Sequence, residues 1–232
     1  VSLSPLFWRP LGELHETVRS GRPAFDGIFG ESFFDWLAAR AADSDRFAAV
    51  MNAATRDDIP LVLSTWDFSR YGTIVDVGGG RGALLAAILS AYGGIRGVLF
   101  DLPSVTARAD ALQSAGLAGR CRIVSGNFFD SVPNGADAYL LRSVIHDWNN
   151  ERAAVILGNC RRAMRPGATL LVLERLLERG SAAELIDLHM MVLTGGRERS
   201  PADYTTLLND AGFRVNRVAR TVGPAIIEAI AV

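Results

Sequence analysis

Thr73-Ile74-Val75-Asp76-Val77-Gly78-Gly79-Gly80-Arg81-Gly82 is the stretch whose reading decides the fold. Its first half is a β-branched, aliphatic run of strand length, and its second half is a turn built almost wholly of glycine. Ala83, Leu84, Leu85, Ile88 and Leu89 then follow at helical spacing. A strand, a glycine turn and a helix in that order form a nucleotide-binding unit. Side chains at the turn would hold a ligand away from the backbone and from the free N–H groups of the helix start. Asp101 ends the next apolar run, twenty-three residues after Gly78. That is close to the spacing of about 20 expected of an acid that bonds ribose hydroxyls. Loop and acid together specify an adenosine ligand.

Outward from this unit, short aliphatic runs alternate with helical stretches, which predicts a parallel sheet with crossover helices. Strands are expected at 73–77, 96–100, 121–125, 137–142, 168–173, 213–219 and 225–231. Only Arg220 to Pro224 separate the last two, too few residues for a helix, so they should pair antiparallel. The expected class is α/β: a Rossmann-like seven-stranded sheet, mostly parallel with an antiparallel C-terminal hairpin, preceded by helices. Ser200, Pro201 and Asp203 mark a capped helix start, and Gly212 a stop. Before residue 70 the pattern is helical. Phe47, Val50, Met51 and Ala54 recur as one face, which is expected to be buried. With no divisive linker, residues 1–70 are expected to be a helical lead-in forming part of an acceptor pocket, and 71–232 the cofactor-binding domain.

The glycine run fits both the G-x-G-x-G of methyltransferases and, with Ala83, the G-x-G-x-x-A of nicotinamide-binding folds. The terminal hairpin and Asp76 favour S-adenosylmethionine, and with it a class I methyltransferase.

Composition narrows the partners. The net charge is −1 over 232 residues, and the basic residues, all arginine, form no run that would track a phosphate backbone, which argues against nucleic acid. No apolar run approaches a membrane span, and no signal-peptide pattern opens the chain, so a cytoplasmic setting is expected. The first residue is valine, from which a trimmed chain, a processed product or part of a longer protein is expected. Cys121 and Cys160 fit no disulfide framework and are expected to be buried thiols. No His and Cys cluster suggests a metal.

His146 follows the fourth expected strand and should lie beyond the carboxyl edge of the sheet, where ligands sit in such folds. A phenol with a pKa of about 10 is mostly protonated at neutral pH, so methyl transfer to it calls for a base, and an imidazole suits. Glu174, ending the fifth strand, and Glu198, in Gly195-Gly196-Arg197-Glu198-Arg199, are placed to orient that imidazole. His15 reads as solvated, and His189 lies in a very apolar helix where it can line a pocket.

At these residues the chain resembles the plant and bacterial small-molecule O-methyltransferases, the family of caffeate, flavonoid and aromatic-polyketide enzymes. Asp76-Val77-Gly78-Gly79-Gly80, Phe100-Asp101-Leu102-Pro103, Gly126-Asn127-Phe128-Phe129, His146-Asp147-Trp148, Glu174 and Gly195 to Arg199 occur in the family's order. The resemblance implies transfer of a methyl group to a hydroxyl of an aromatic small molecule, with His146 as base beside Glu174 and Glu198. It implies that Gly78, Asp101 and Leu102 hold the methionyl and ribose parts of S-adenosylmethionine and that Asn127 and Phe128 meet the adenine. It adds Arg142, commonly a lysine in plant members, to the cofactor site. Met51, His189 and Met190 fall where the family lines its acceptor pocket. Family members carry an N-terminal domain that builds a homodimer, and this sequence is expected to lack it. The alternative is a relative of the same fold without O-methyl transfer: a hydroxylase or decarboxylase, an N-methyltransferase, or an inactive remnant.

Overall fold

The computed structural model describes residues 5–232, the side chain of Gln113 excepted. Five helices come first: α1 (Pro5–Gly12), α2 (Leu14–Ser20), α3 (Ala24–Phe29), α4 (Phe33–Ala39) and α5 (Ala41–Thr65). The alternating part follows with β1 (Thr73–Val77), α6 (Ala83–Ala91), β2 (Arg96–Asp101), α7 (Pro103–Thr106), α8 (Asp110–Ser114), β3 (Cys121–Ser125) and β4 (Ala138–Arg142). A 3-10 turn (Ile145–Asp147), α9 (Asn150–Ala163), β5 (Thr169–Glu174), α10 (Ala183–Leu193), α11 (Pro201–Asp210), β6 (Phe213–Ala219) and β7 (Ala225–Ala231) complete it. The strands form one sheet in the order β3-β2-β1-β4-β5-β7-β6. β1 to β5 run parallel, and β7 is antiparallel to both β5 and β6. The expected class and the hairpin stand, with single-residue shifts at some strand ends.

The central strands are apolar on both faces because helices cover both. On β5, Leu170 and Val172 pack with α9 and α11 through Ile156, Leu157 and Leu208. Leu171 and Leu173 face the other way, with Leu85, Ile88 and Leu89 of α6 and Val62 of α5. Alternation in space thus becomes an unbroken apolar run in sequence. β3 is an edge strand, and this corrects one expectation: Cys160 is buried on α9, whereas Cys121 on β3 is only half-buried.

The lead-in divides between two cores. Phe25, Phe33 and Leu37 pack with Leu6, Val192 and Leu193 of α1 and α10, while Val62, Trp66 and Phe68 belong to the sheet. The face expected to be buried on α5 is not: Val50 is 40% exposed, and Phe47, Met51 and Ala54 are half-buried. The first half of α5 stands clear of the sheet, and its inward residues are Thr55, Asp58 and Val62. Periodicity located the helix but not the stripe that packs, because a polar residue with a partner can face inward. Ser200 accepts from the Asp203 N–H and Asp203 accepts in return, so α11 begins with the expected capping box. Among the described residues no helix is long and apolar enough to cross a membrane.

Phe25 is fully buried, 4.4 Å from Phe29 and 5.2 Å from Phe33 between ring centroids. Phe25→Ala should remove about 3–5 kcal/mol from this outlying core. Hydrogen exchange should then show lost protection at 24–39 with β1, β4 and β5 still protected. Equal loss in the strands would show that the two cores unfold as one.

Candidate active site

Strand order reverses between β1 and β4, so the loops after those strands open a crevice at the carboxyl edge of the sheet. The glycine loop forms one wall. Gly80 has φ +61°, a conformation L side chains rarely adopt, and a Cβ there would meet nothing within 4 Å, so this backbone faces open space. Its N–H donates to Asp101 Oδ2 at 2.8 Å, and the Leu102 N–H donates to Oδ1 at 2.7 Å. Each oxygen of Asp101 is thereby oriented by one backbone N–H and keeps a lone pair for hydroxyl donors. Burial pushes this carboxyl above its ordinary range, and the two N–H groups oppose that.

Beneath the loop lies Asp76, almost fully buried. Burial, then the neighbouring charge of Asp101, pushes its pKa up to about 7, against the pull of Arg142. Arg142 ends β4 and is ion-paired with Asp58 of α5, both side chains 9% exposed. Asn127 spends its carbonyl on the Phe129 N–H at 2.9 Å, an Asx turn that fixes the start of this loop. The Phe128 carbonyl accepts from Asn159 Nδ2 at 2.7 Å, and the Phe128 ring meets Trp148 edge-on at 6.2 Å.

The other wall is built around His146, in the 3-10 turn after β4. Its Nδ1 lies 2.7 Å from Glu198 Oε1, so the carboxylate holds the proton on Nδ1 and leaves Nε2 for chemistry. Glu174, expected beside the ring, reaches both the turn and the imidazole. Its Oε1 accepts from the N–H groups of Val144 (3.0 Å), Ile145 (2.9 Å) and His146 (3.4 Å). Its Oε2 lies 3.7 Å from Nδ1, an ion-pair separation without a hydrogen bond. Glu174 therefore shapes the backbone of the turn and acts on the ring through charge. Burial raises the pKa of Glu174 itself.

Burial alone would lower the pKa of His146. The charges of Glu174 and Asp147 and the contacts of Glu198 outweigh it and raise the imidazole to about 10. Asp147, whose Oδ1 is 3.6 Å from His146 Nε2, is itself pushed up to about 7 by burial, against the attraction of the imidazole. His146, Glu174 and Glu198 each bring one donor atom within 4.8 Å of the others, the spacing of a metal site. Two commitments speak for a proton instead: Nδ1 to Glu198, and one Glu174 oxygen to the backbone.

Three further residues complete this wall; sequence reading assigned none of them a role, although Gly196 and Arg199 lie in the motif around Glu198. Arg199, 1% exposed, donates from Nη1 to Ile145 O (2.9 Å) and from Nη2 to Trp148 O (2.8 Å) and Asn150 Oδ1 (2.9 Å), cinching both ends of the turn. Gly196 allows the Glu198 loop to close on His146, since a Cβ would lie 2.1 Å from the His146 carbonyl. Phe34 of α4 stacks on Trp148 with centroids 5.2 Å apart, so the lead-in reaches the site. Arg199 and Phe34 lie 49 and 114 residues from their main partners, and no local pattern could have linked them.

Met51 and Met190 are half-buried on α5 and α10. His189 Nδ1 lies 3.1 Å from Leu185 O, an acceptor, so that nitrogen carries the proton; its buried Nε2 lone pair has no partner among the described residues. His15 is exposed, its side chain 70% so.

A family model described as an O-methyltransferase domain matches residues 11–214. O-demethylpuromycin-O-methyltransferase of Streptomyces alboniger is 44% identical over 94% of this chain. An 8-amino-8-demethylriboflavin N,N-dimethyltransferase of Streptomyces davaonensis is 39% identical over 88% of it. The chain spans 60% of the length of each. Among solved structures, the O-methyltransferase NcsB1 of neocarzinostatin biosynthesis, in complex with S-adenosyl-L-homocysteine and 1,4-dihydroxy-2-naphthoic acid, superposes with a TM-score of 0.92 at 34% identity. That match covers 96% of this chain and 68% of the other.

The folded chain keeps the Asp76 proton up to a pH of about 7, while the ordinary value is 3.8. Between those limits the folded state binds more protons than the unfolded, so this group makes stability fall as pH rises. Asp76→Asn should therefore flatten the pH dependence of the urea midpoint across that window. An unchanged slope would mean that Asp76 is already ionised at low pH.

Proposed function

The chain belongs to the O-methyltransferase domain family, and from that premise we propose that it moves a methyl group from S-adenosylmethionine to a phenolic hydroxyl, an acidic aromatic O–H, of an aromatic small molecule. The observation that carries this reading is the 2.7 Å contact of Glu198 with His146 Nδ1, which leaves Nε2 facing away from the carboxylate at the ligand edge of the sheet.

The residues present fit the cofactor. Asp101, held by two N–H groups, offers both oxygens to the ribose hydroxyls. Gly78 and Leu102 line the same loops, Asn127 and Phe128 suit the adenine, and Arg142 suits the amino-acid end. When bound, S-adenosylmethionine supplies an electrophilic methyl group. His146 Nε2 accepts the hydroxyl proton, Glu198 and Glu174 stabilise the imidazolium, and Arg199 keeps the turn in place. The base, raised to about 10, is matched to a phenol whose pKa is also about 10, so proton transfer is nearly thermoneutral.

The stacked rings of Phe34 and Trp148 support a flat aromatic acceptor, with Met51, Met190 and the His189 lone pair as further lining. In this reading the lead-in, residues 1–70, supplies part of the acceptor pocket. The partner is a small molecule in a cytoplasmic setting, and a homodimer is the assembly the family resemblance implies for full-length members.

Thermal unfolding tests the cofactor, since a ligand at about 100 times its Kd should add about 2.7 kcal/mol. S-Adenosylmethionine and S-adenosylhomocysteine should stabilise the chain and NAD should not. Binding without turnover on any hydroxynaphthoate or phenol would support the inactive alternative. His146→Ala should lower kcat by about 10²–10⁴ with cofactor affinity unchanged; retained turnover would refute the base assignment.

A base held this high is protonated at neutral pH, so kcat/KM should rise on the alkaline side. Glu174→Gln keeps an acceptor for the three N–H groups but removes the charge that raises His146. The rising limb should therefore move to lower pH, and an unmoved limb would exclude His146 as its source.

A further inference from the structure

Arg142 and Arg175 stand at the ends of the neighbouring strands β4 and β5 and share one carboxylate. Arg142 Nη2 donates to Asp58 Oδ2, and Arg175 Nη2 lies 3.7 Å from Asp58 Oδ1. Two cations on one anion leave a net positive charge, with Arg142 and Asp58 buried and Arg175 partly open to water. Arg142 Nε is also buried and has no acceptor among the described residues. What this corner lacks is an anion.

The missing partner can be placed further. Asp76 is opposite Leu140 in the sheet, two residues before Arg142 on β4. Ile74 and Leu140 pack on the face covered by α5 and α6, so Asp76 and Arg142, each two residues further along its strand, turn to that same face. Arg142 acts electrostatically on the Asp76 carboxyl, which receives no hydrogen bond from the described residues. An unpaired N–H of a cation and an unpaired carboxyl thus lie together under the glycine loop. Their complement is a zwitterion, the carboxylate and ammonium of an α-amino acid.

We propose that Asp58 is a positioning residue that holds Arg142 for the carboxylate of the cofactor's amino-acid end, with the ammonium directed at Asp76. A free arginine has many rotamers, and fixing its fork beforehand reduces what binding must order. The assignment rests on the cofactor reading above and deepens it by giving α5 a part in recognition.

Calorimetric titration with two ligands tests it: S-adenosylhomocysteine, and 5′-methylthioadenosine, which has the nucleoside and thioether but no amino-acid group. In Asp58→Asn, S-adenosylhomocysteine should bind about tenfold more weakly, the size of one charge-assisted hydrogen bond. Methylthioadenosine affinity should be unchanged, and Asp58→Glu should recover part of the loss. Equal weakening of both ligands would show a general structural role and overturn the proposal, as would wild-type affinity for S-adenosylhomocysteine in Asp58→Asn. An open cleft lined by Arg175, Glu178, Ser181, Arg220 and Gly223 adjoins this corner and offers a path for a free anion. Inorganic phosphate that stabilises the wild type but not Asp58→Asn, without competing with S-adenosylhomocysteine, would reassign the site and overturn the proposal. A wild-type chain that binds neither nucleoside ligand would instead refute the cofactor reading itself.

Discussion

Glu174 is buried at the cost of leaving water, and the site is arranged around how that cost is offset. One oxygen collects three backbone N–H groups and so dictates the path of Val144 to His146. The other faces the imidazole and makes it a strong base. A single buried carboxylate therefore sets both where the ring stands and how tightly it holds a proton. Glu198 adds the hydrogen bond that selects the tautomer, and Arg199 supplies a cation whose donors go to the turn rather than to the acids. Glu198 stays on His146, and the second oxygen of Glu174 faces the ring, while Arg199 is occupied elsewhere.

α5 is the counterpart on the cofactor side. Asp45 near its start accepts from Arg81 of the glycine loop and Arg108 beyond α7, and Asp58 pairs with Arg142. The helix is thus tied to the loops that follow β1 and β2 and to the end of β4. Its apolar contact with the sheet is confined to its second half, around Val62. Its first half meets α4 through the edge-on contact of Phe47 with Phe33 and meets the cofactor loops through the ion pairs of Asp45.

The parallel part of the fold was readable because burial on both faces leaves a plain mark: five apolar residues, a turn, and a helix of period 3.6. The glycine loop and Asp101 were readable because a nucleotide imposes fixed spacing on nearby residues. The α5 stripe was not, since Thr55 and Asp58 face inward through a hydrogen bond and an ion pair. Glu174 was found by its strand-end position, but its main work, on backbone N–H groups 28 to 30 residues earlier, leaves no trace in composition. Arg199 and Phe34 escaped for the same reason. Contacts made across the fold by single polar or aromatic side chains have no period.

The place of β7 bears on how the site comes into being during synthesis. β7 lies between β5 and β6, although it follows both in the chain. Until residues 225–231 leave the ribosome, the β5 edge has no partner and β6 has no sheet to join. Glu174 pairs with Ala225, so the strand end that carries this carboxylate is among the last to be enclosed. The glycine loop and Asp101 have by then long been made. A nascent chain therefore acquires its nucleotide-binding half first, and its proton-accepting half only once β7 has been made.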